Sequence, residues 1–103
     1  MSTYYREKIL KLHDALFLSP LSGREKFQQL EKQFDAVYLA SKDVEDTNIR
    51  YRWEEIWQEL NKHEGMSFTN HDISSFVQTV GKTRNKTLEK YLHFVLEEFY
   101  RVL

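Results

Sequence analysis

Apolar residues along this chain recur three and four positions apart, the period of one α-helical face, in five separate runs. In the first, Tyr5, Ile9, Leu12 and Leu16 follow at spacings of 4, 3 and 4, and Leu10 and Phe17 widen the stripe. Ser19-Pro20 ends it, because the residue before a proline is pushed out of the α region. The second run starts at a capping-box pair, Ser22 and Glu25, and carries Phe27, Leu30, Phe34, Val37 and Tyr38 on one face. The third opens among Asp43, Glu45 and Asp46, acids that suit the positive end of a helix dipole. It carries Ile49, Trp53, Ile56, Trp57 and Leu60 inward and closes at Lys62, His63 and Gly65.

A short fourth helix is expected over residues 70–80, with Thr69 or Asn70 as its cap and Ile73, Phe76, Val77 and Val80 facing inward. Gly81 follows as its terminator, where a left-handed conformation is easy for glycine. The fifth helix runs from about Arg84 to the C-terminus on a stripe of Leu88, Leu92, Val95, Phe99 and Val102. Tyr91, Phe94, Leu96 and Leu103 spread its apolar arc past half the circumference, which predicts a helix packed among several others. No run alternates with the period of a strand, and no internal repeat or low-complexity segment interrupts the pattern. The fold class expected is therefore all-α: a compact bundle of four to five helices with the C-terminal helix central, forming a single domain over residues 1–103.

Composition supports a folded core and removes several classes of chemistry. Apolar residues make up 41% of the 103 positions, and aromatic residues 15% of the 103. Each buried aromatic withdraws roughly 150–250 Å² from water, so this load argues against a disordered chain. The absence of cysteine rules out disulfides and thiolate metal sites and suits a reducing, cytoplasmic setting. Arg6, Glu7, Lys8, Lys11 and Asp14 interrupt the first apolar run, so it does not read as a signal peptide. A soluble intracellular protein with no membrane span is expected.

Net charge is −1 but unevenly placed. Residues 1–42 carry 7 basic and 5 acidic side chains, residues 43–64 carry 3 and 7, and residues 65–103 carry 5 and 4. Any contact with nucleic acid would have to come from a local basic patch. Such a patch exists. Residues 82–90 carry 4 basic side chains and one acid, and Lys82, Thr83, Arg84, Asn85, Lys86, Thr87 and Lys90 can all bond phosphates or base edges.

Residues 69–92 place a short helix, a Gly, a basic turn and a longer helix in the order that resembles the bacterial helix-turn-helix family. That resemblance implies a second helix whose N-terminal side chains read the major groove. It covers only this segment and departs from the family pattern at three positions. Lys82 follows the turn Gly where an apolar residue is usual, the next buried position, Leu88, arrives one residue late, and Val77 stands where a small residue is usual. Arg84-Asn85 followed by His93 also resembles the Arg-Asn…His element of all-α HEPN ribonucleases, though with a longer gap.

On the third helix, Glu54, Glu55, Gln58 and Glu59 surround Tyr51 on the side opposite the Trp53 stripe. An exposed tyrosine among carboxylates resembles the binding faces of small immunity and anti-factor proteins, which meet basic partners. Trp53 and Trp57 share the stripe of Ile49, Ile56 and Leu60, so they read as core rather than as a stacking platform. His13, between Ile9 and Phe17, reads as a packed histidine at the core edge. His13, His63, His71 and His93 show no metal-ligand spacing, and Ser74 and Ser75 lack the glycines of a nucleophile elbow. No catalytic residue, metal or cofactor is assigned, and enzymatic activity is not expected.

Together these features predict a small helical regulatory protein of phage or bacterial type that binds another protein stoichiometrically, as inhibitors, anti-factors and immunity proteins do. Tyr51, Glu54, Glu55 and Glu59 are its expected contact residues. The alternative is a helix-turn-helix-like DNA-binding regulator that uses Lys82, Thr83, Arg84, Asn85, Lys86 and Lys90. Exposure of Phe94 or Tyr100, at opposite margins of the last helix's apolar arc, would favour a homodimer through that helix.

Overall fold

The computed structural model describes residues 3–18, 23–67 and 72–103. Its described residues form six helices: α1 (Thr3–Phe17), α2 (Gly23–Gln29), α3 (Glu31–Ser41), α4 (Thr47–Leu60), α5 (Ser75–Lys82) and α6 (Asn85–Val102). The all-α class holds, with one helix more than the pattern predicted. The first run behaves as read: Tyr5, Ile9, Leu12 and Leu16 are the buried positions of α1. The expected stops and caps at Ser19-Pro20, Ser22, Thr69 and Asn70 lie outside the described residues.

The extra helix comes from a break in the second run. Leu30 leaves helical geometry (φ −102°, ψ 21°), and its N–H donates to Phe27 O at 3.2 Å, one residue short of α spacing. No Gly or Pro forces this. α2 lies against α5, whereas α3 lies against α1 and α4, so the chain bends to serve both. Phe27 and Phe34 stack across the bend with centroids 5.0 Å apart. Tertiary packing has overridden a continuous helical period.

α4 begins as the acids imply: Asp46 caps it by accepting from the N–H groups of Asn48 (2.9 Å) and Ile49 (3.3 Å). The next segment departs from expectation. A two-residue antiparallel ladder, β1 (Met66–Ser67) with β2 (Asp72–Ile73), occupies the start of the expected fourth helix. α5 starts later, with Ser74 as cap and its Oγ accepting from Val77 N–H at 3.1 Å. Gly81 lies inside α5 with no positive φ, and the helix continues to Lys82 because Thr83 donates its hydroxyl back to Thr79 O at 2.7 Å. Gly65 is needed for a different reason from helix termination. A Cβ there would meet Ile73 O at 2.6 Å, so only glycine lets the ladder approach this closely.

The core joins Tyr5, Phe27, Phe34, Trp53, Phe76 and aliphatic residues of every helix except α2, whose one core residue is Phe27. α6 reaches α4 through Phe94 on Trp53, α2 through Tyr91 on Phe27, and α1 through Phe99 stacked on His13 at 3.6 Å. Among the described residues, no buried side-chain nitrogen or oxygen lacks a hydrogen-bond partner. The most buried charge is Glu98, 3% exposed. It accepts from the Tyr5 hydroxyl at 2.7 Å and from Arg101 at 2.9 and 2.7 Å, and the Trp53 indole N–H donates to the Tyr5 oxygen at 2.7 Å.

Candidate functional site

The outer face of α4 carries Tyr51, Glu54, Glu55, Gln58, Glu59 and, past the helix end, Lys62, positions that recur on one side of a 3.6-residue period. Tyr51 is 70% exposed. It shares a shallow cleft of about 350 Å³ with Ser41, Lys42, Arg50 and Glu54, so two cations and one carboxylate border it. Arg50 is held there by donating to Val44 O at 2.8 Å.

Glu54 is fixed by the Tyr38 hydroxyl at 2.7 Å and by Gln58 at 2.8 Å. The Tyr38 hydrogen bond, then that of Gln58, holds the Glu54 carboxyl below its usual range, and the same bond to Glu54 raises the Tyr38 phenol. Tyr38 is itself braced by stacking on Trp57 at 5.3 Å and by Lys42 over its ring at 4.9 Å. Glu55 is exposed and makes no ion pair among the described residues, while Glu59 faces Lys62 at 3.5 Å.

The basic turn is also positioned by structure elsewhere. Only Thr83 and Arg84 separate α5 from α6. Arg24, from α2, donates to Val80 O, Thr83 O and Asn85 Oδ1, each at 2.6 Å, and so latches the turn. Lys82, Arg84, Asn85, Lys86 and Lys90 are exposed, and Thr83 is half-buried. Nothing in the sequence marks Arg24 as part of this corner, which is 56–61 residues away in the chain.

A second distant segment joins the same corner. The buried Thr79 accepts the His63 N–H at 2.9 Å on its hydroxyl oxygen and the Thr83 hydroxyl at 2.7 Å on its carbonyl. This pins the chain after α4 against the end of α5. The result is a cleft of about 310 Å³ lined by Glu59, Lys62, His63, Lys82, Thr83, Arg84, Thr87 and Tyr91. Burial, then the Glu59 and Glu55 carboxylates, raise the Tyr91 phenol against the opposing Arg52 charge.

The backbone arrangement differs from a paired helix-turn-helix: α5 lies against α2 and α4, and α6 lies along α1. On α6, Tyr100, near the C-terminal end, is 66% exposed, and Phe94, at mid-helix, only 8%. Phe17, Glu89, Leu92, His93 and Leu96 border a small apolar groove of about 200 Å³. His93 therefore stands on that groove and not in the cleft with Arg84.

Among the described residues, no group of three or more His, Asp or Glu is placed to hold a metal ion. None of their helices is long and apolar enough to cross a membrane. Compared with protein-family models, with curated proteins and with solved structures, the chain matches none.

Proposed function

We propose that the protein acts by stoichiometric association with another protein through the outer face of α4. The supporting observation is Tyr51: a large, 70% exposed aromatic beside a carboxylate, Glu54, already fixed by two side-chain hydrogen bonds. Exposed aromatics on a preorganised rim serve as interface anchors, since little side-chain freedom remains to be lost on binding. Glu55 and Glu59 extend the face with negative charge, so the partner this reading calls for presents a basic surface.

Tyr51→Ala with Glu55→Lys tests the reading. Affinity purification from the native host, after nuclease treatment, should recover a partner with the wild-type chain and lose it with the double variant at unchanged melting temperature. Equal recovery overturns the assignment of this face, and so does unfolding of the variant.

The exposed Lys82, Arg84, Lys86 and Lys90 favour a second reading, contact with DNA at the α5–α6 corner. Replacing Lys82, Arg84 and Lys86 by Ala should weaken DNA retention and flatten its dependence on salt. Unchanged, salt-independent retention refutes it. Exposure of Tyr100 keeps self-association through α6 as a further element of the proposal, and light scattering at several concentrations tests it. A strict monomer removes it.

A further inference from the structure

We propose that the cleft between the end of α4 and the α5–α6 turn binds the phosphate monoester of a ligand about the size of a nucleoside phosphate. Three cations, Lys62, Lys82 and Arg84, line it against one carboxylate, Glu59. Glu59 faces only Lys62, at 3.5 Å, and neither Lys82 nor Arg84 has a carboxylate partner among the described residues. Two uncompensated cations therefore share one recess in a chain whose net charge is −1. A phosphate dianion satisfies both, and a guanidinium can meet it with two parallel N–H donors.

The remaining lining fits the same ligand. Thr87 offers a hydroxyl, and His63 offers a ring nitrogen. Thr83 has already donated its proton to Thr79 O, so it can only accept. Tyr91 presents a half-buried ring on which a flat group can lie. The volume, about 310 Å³, falls at the lower end of the roughly 300–1,000 Å³ range of small-ligand pockets.

A concave recess suits a terminal phosphate better than it suits a duplex, which calls for a projecting helix end. The Asn85 carbonyl, one of the groups that would face a base there, is already engaged by Arg24. The charged cleft bordered by Lys8, Lys11 and Lys32 between α1 and α3 supplies the contrast. It has lysines but no Arg, hydroxyl or ring in its lining, Lys11 is paired with Glu7 at 3.2 Å, and Lys8 lies over Tyr4. Lysines with one amide, Gln33, are found there; of the two clefts, the ligand-shaped set is found at the α4–α5–α6 corner. The site shares Glu59 with the protein-binding face but uses neither Tyr51 nor Glu54, so its failure leaves that proposal standing.

Titration calorimetry and backbone amide shifts on the full chain test the site, with adenosine monophosphate against adenosine, and a 5′-phosphorylated single strand against its unphosphorylated form. The monophosphate should bind at least tenfold more tightly than adenosine, with shifts at residues 62–63 and 82–91. Lys82→Ala with Arg84→Ala should lose at least tenfold in affinity, and Lys8→Ala with Lys32→Ala should lose nothing. Glu59→Gln should bind severalfold more tightly, because the one opposing carboxylate is gone. Phosphate-dependent binding of the strand alone supports the site and identifies its source as a strand end. Phosphate-independent binding, shifts at the Lys8 cleft, no binding of any of the four at millimolar concentration, or insensitivity to the Lys82/Arg84 pair overturns the proposal.

Discussion

Tyr5→Phe removes one oxygen and should be among the most damaging conservative changes in the chain. That hydroxyl donates to Glu98 at 2.7 Å and accepts from Trp53 at 2.7 Å, and Glu98 is only 3% exposed. Loss of a hydrogen bond to a charged group costs about 1.5–3 kcal/mol, and a buried indole N–H left unpaired costs about 1–3 kcal/mol more. Glu98 keeps both bonds from Arg101, so the two costs overlap, and a loss of about 3 kcal/mol is expected. Against a total of roughly 5–15 kcal/mol this is a large fraction.

Urea unfolding followed by circular dichroism and by tryptophan fluorescence measures it. A loss below about 0.5 kcal/mol, the range of ordinary surface changes, refutes the reasoning. Alkali provides a second reading of the same contact. Burial, then the hydrogen bond and charge of Glu98, hold the Tyr5 phenol protonated far above its ordinary range. The unfolded chain releases that proton near pH 10, at roughly the free tyrosine value. Stability from this group is therefore full below about pH 10 and declines as pH rises further, by about 1.4 kcal/mol per pH unit. Tyr5→Phe should remove that share of the alkaline slope, and identical slopes in the two proteins would contradict the assignment.

Two further substitutions probe how the corner is built. Gly65→Ala places a methyl 2.6 Å from Ile73 O and 3.2 Å from Ser75 N, both backbone atoms that cannot rotate away. It should cost about 1–3 kcal/mol in urea unfolding, as overpacking does, and a neutral result would mean that the β1–β2 approach is looser than it looks. Arg24→Ala deletes three hydrogen bonds to the α5–α6 turn. About 2 kcal/mol of stability should go with them, together with faster hydrogen exchange confined to residues 80–88. Uniform acceleration across all helices would show instead that Arg24 acts on the whole fold.

Helix positions were legible where one face meets one core. The 4-3-4 spacing of α1 named its four buried residues, and the acids Asp43, Glu45 and Asp46 marked the start of α4, of which the structure makes Asp46 the cap. The pattern failed where a segment serves two neighbours. The run from Phe27 to Tyr38 keeps its period across Leu30, yet the chain bends there so that α2 can meet α5 while α3 meets α1 and α4. It failed also where a polar residue takes a core position. Glu98 interrupts no stripe in sequence, and its burial is made tolerable by Arg101 one turn on and by the Tyr5 hydroxyl, which arrives from another helix with the Trp53 indole behind it. The fourth run misled because Ile73 and Phe76 fit a helical spacing, while the tightness that places Ile73 in a ladder lies in Gly65, eight residues earlier.

The acidic face of α4 and the basic cleft at the α5–α6 turn adjoin at Glu59, and this follows from Thr79 rather than from either motif. The helix presents Tyr51, Glu54, Glu55 and Glu59 in succession, then ends. Left there, the chain would carry Lys62 and His63 off into solvent, and the basic turn would be a separate corner. The bonds from His63 N–H and the Thr83 hydroxyl to the same buried threonine bring the end of the acidic helix against the basic turn. Glu59 belongs to both, as the last carboxylate of one and the only one in the other. A face whose sign reverses at a single residue discriminates by charge order as well as by charge. A partner that meets Tyr51 with basic groups and also reaches the cleft must present acid, or a phosphate, about three helical turns further along, past Lys62. That requirement couples the two binding proposals geometrically while leaving each one separately testable.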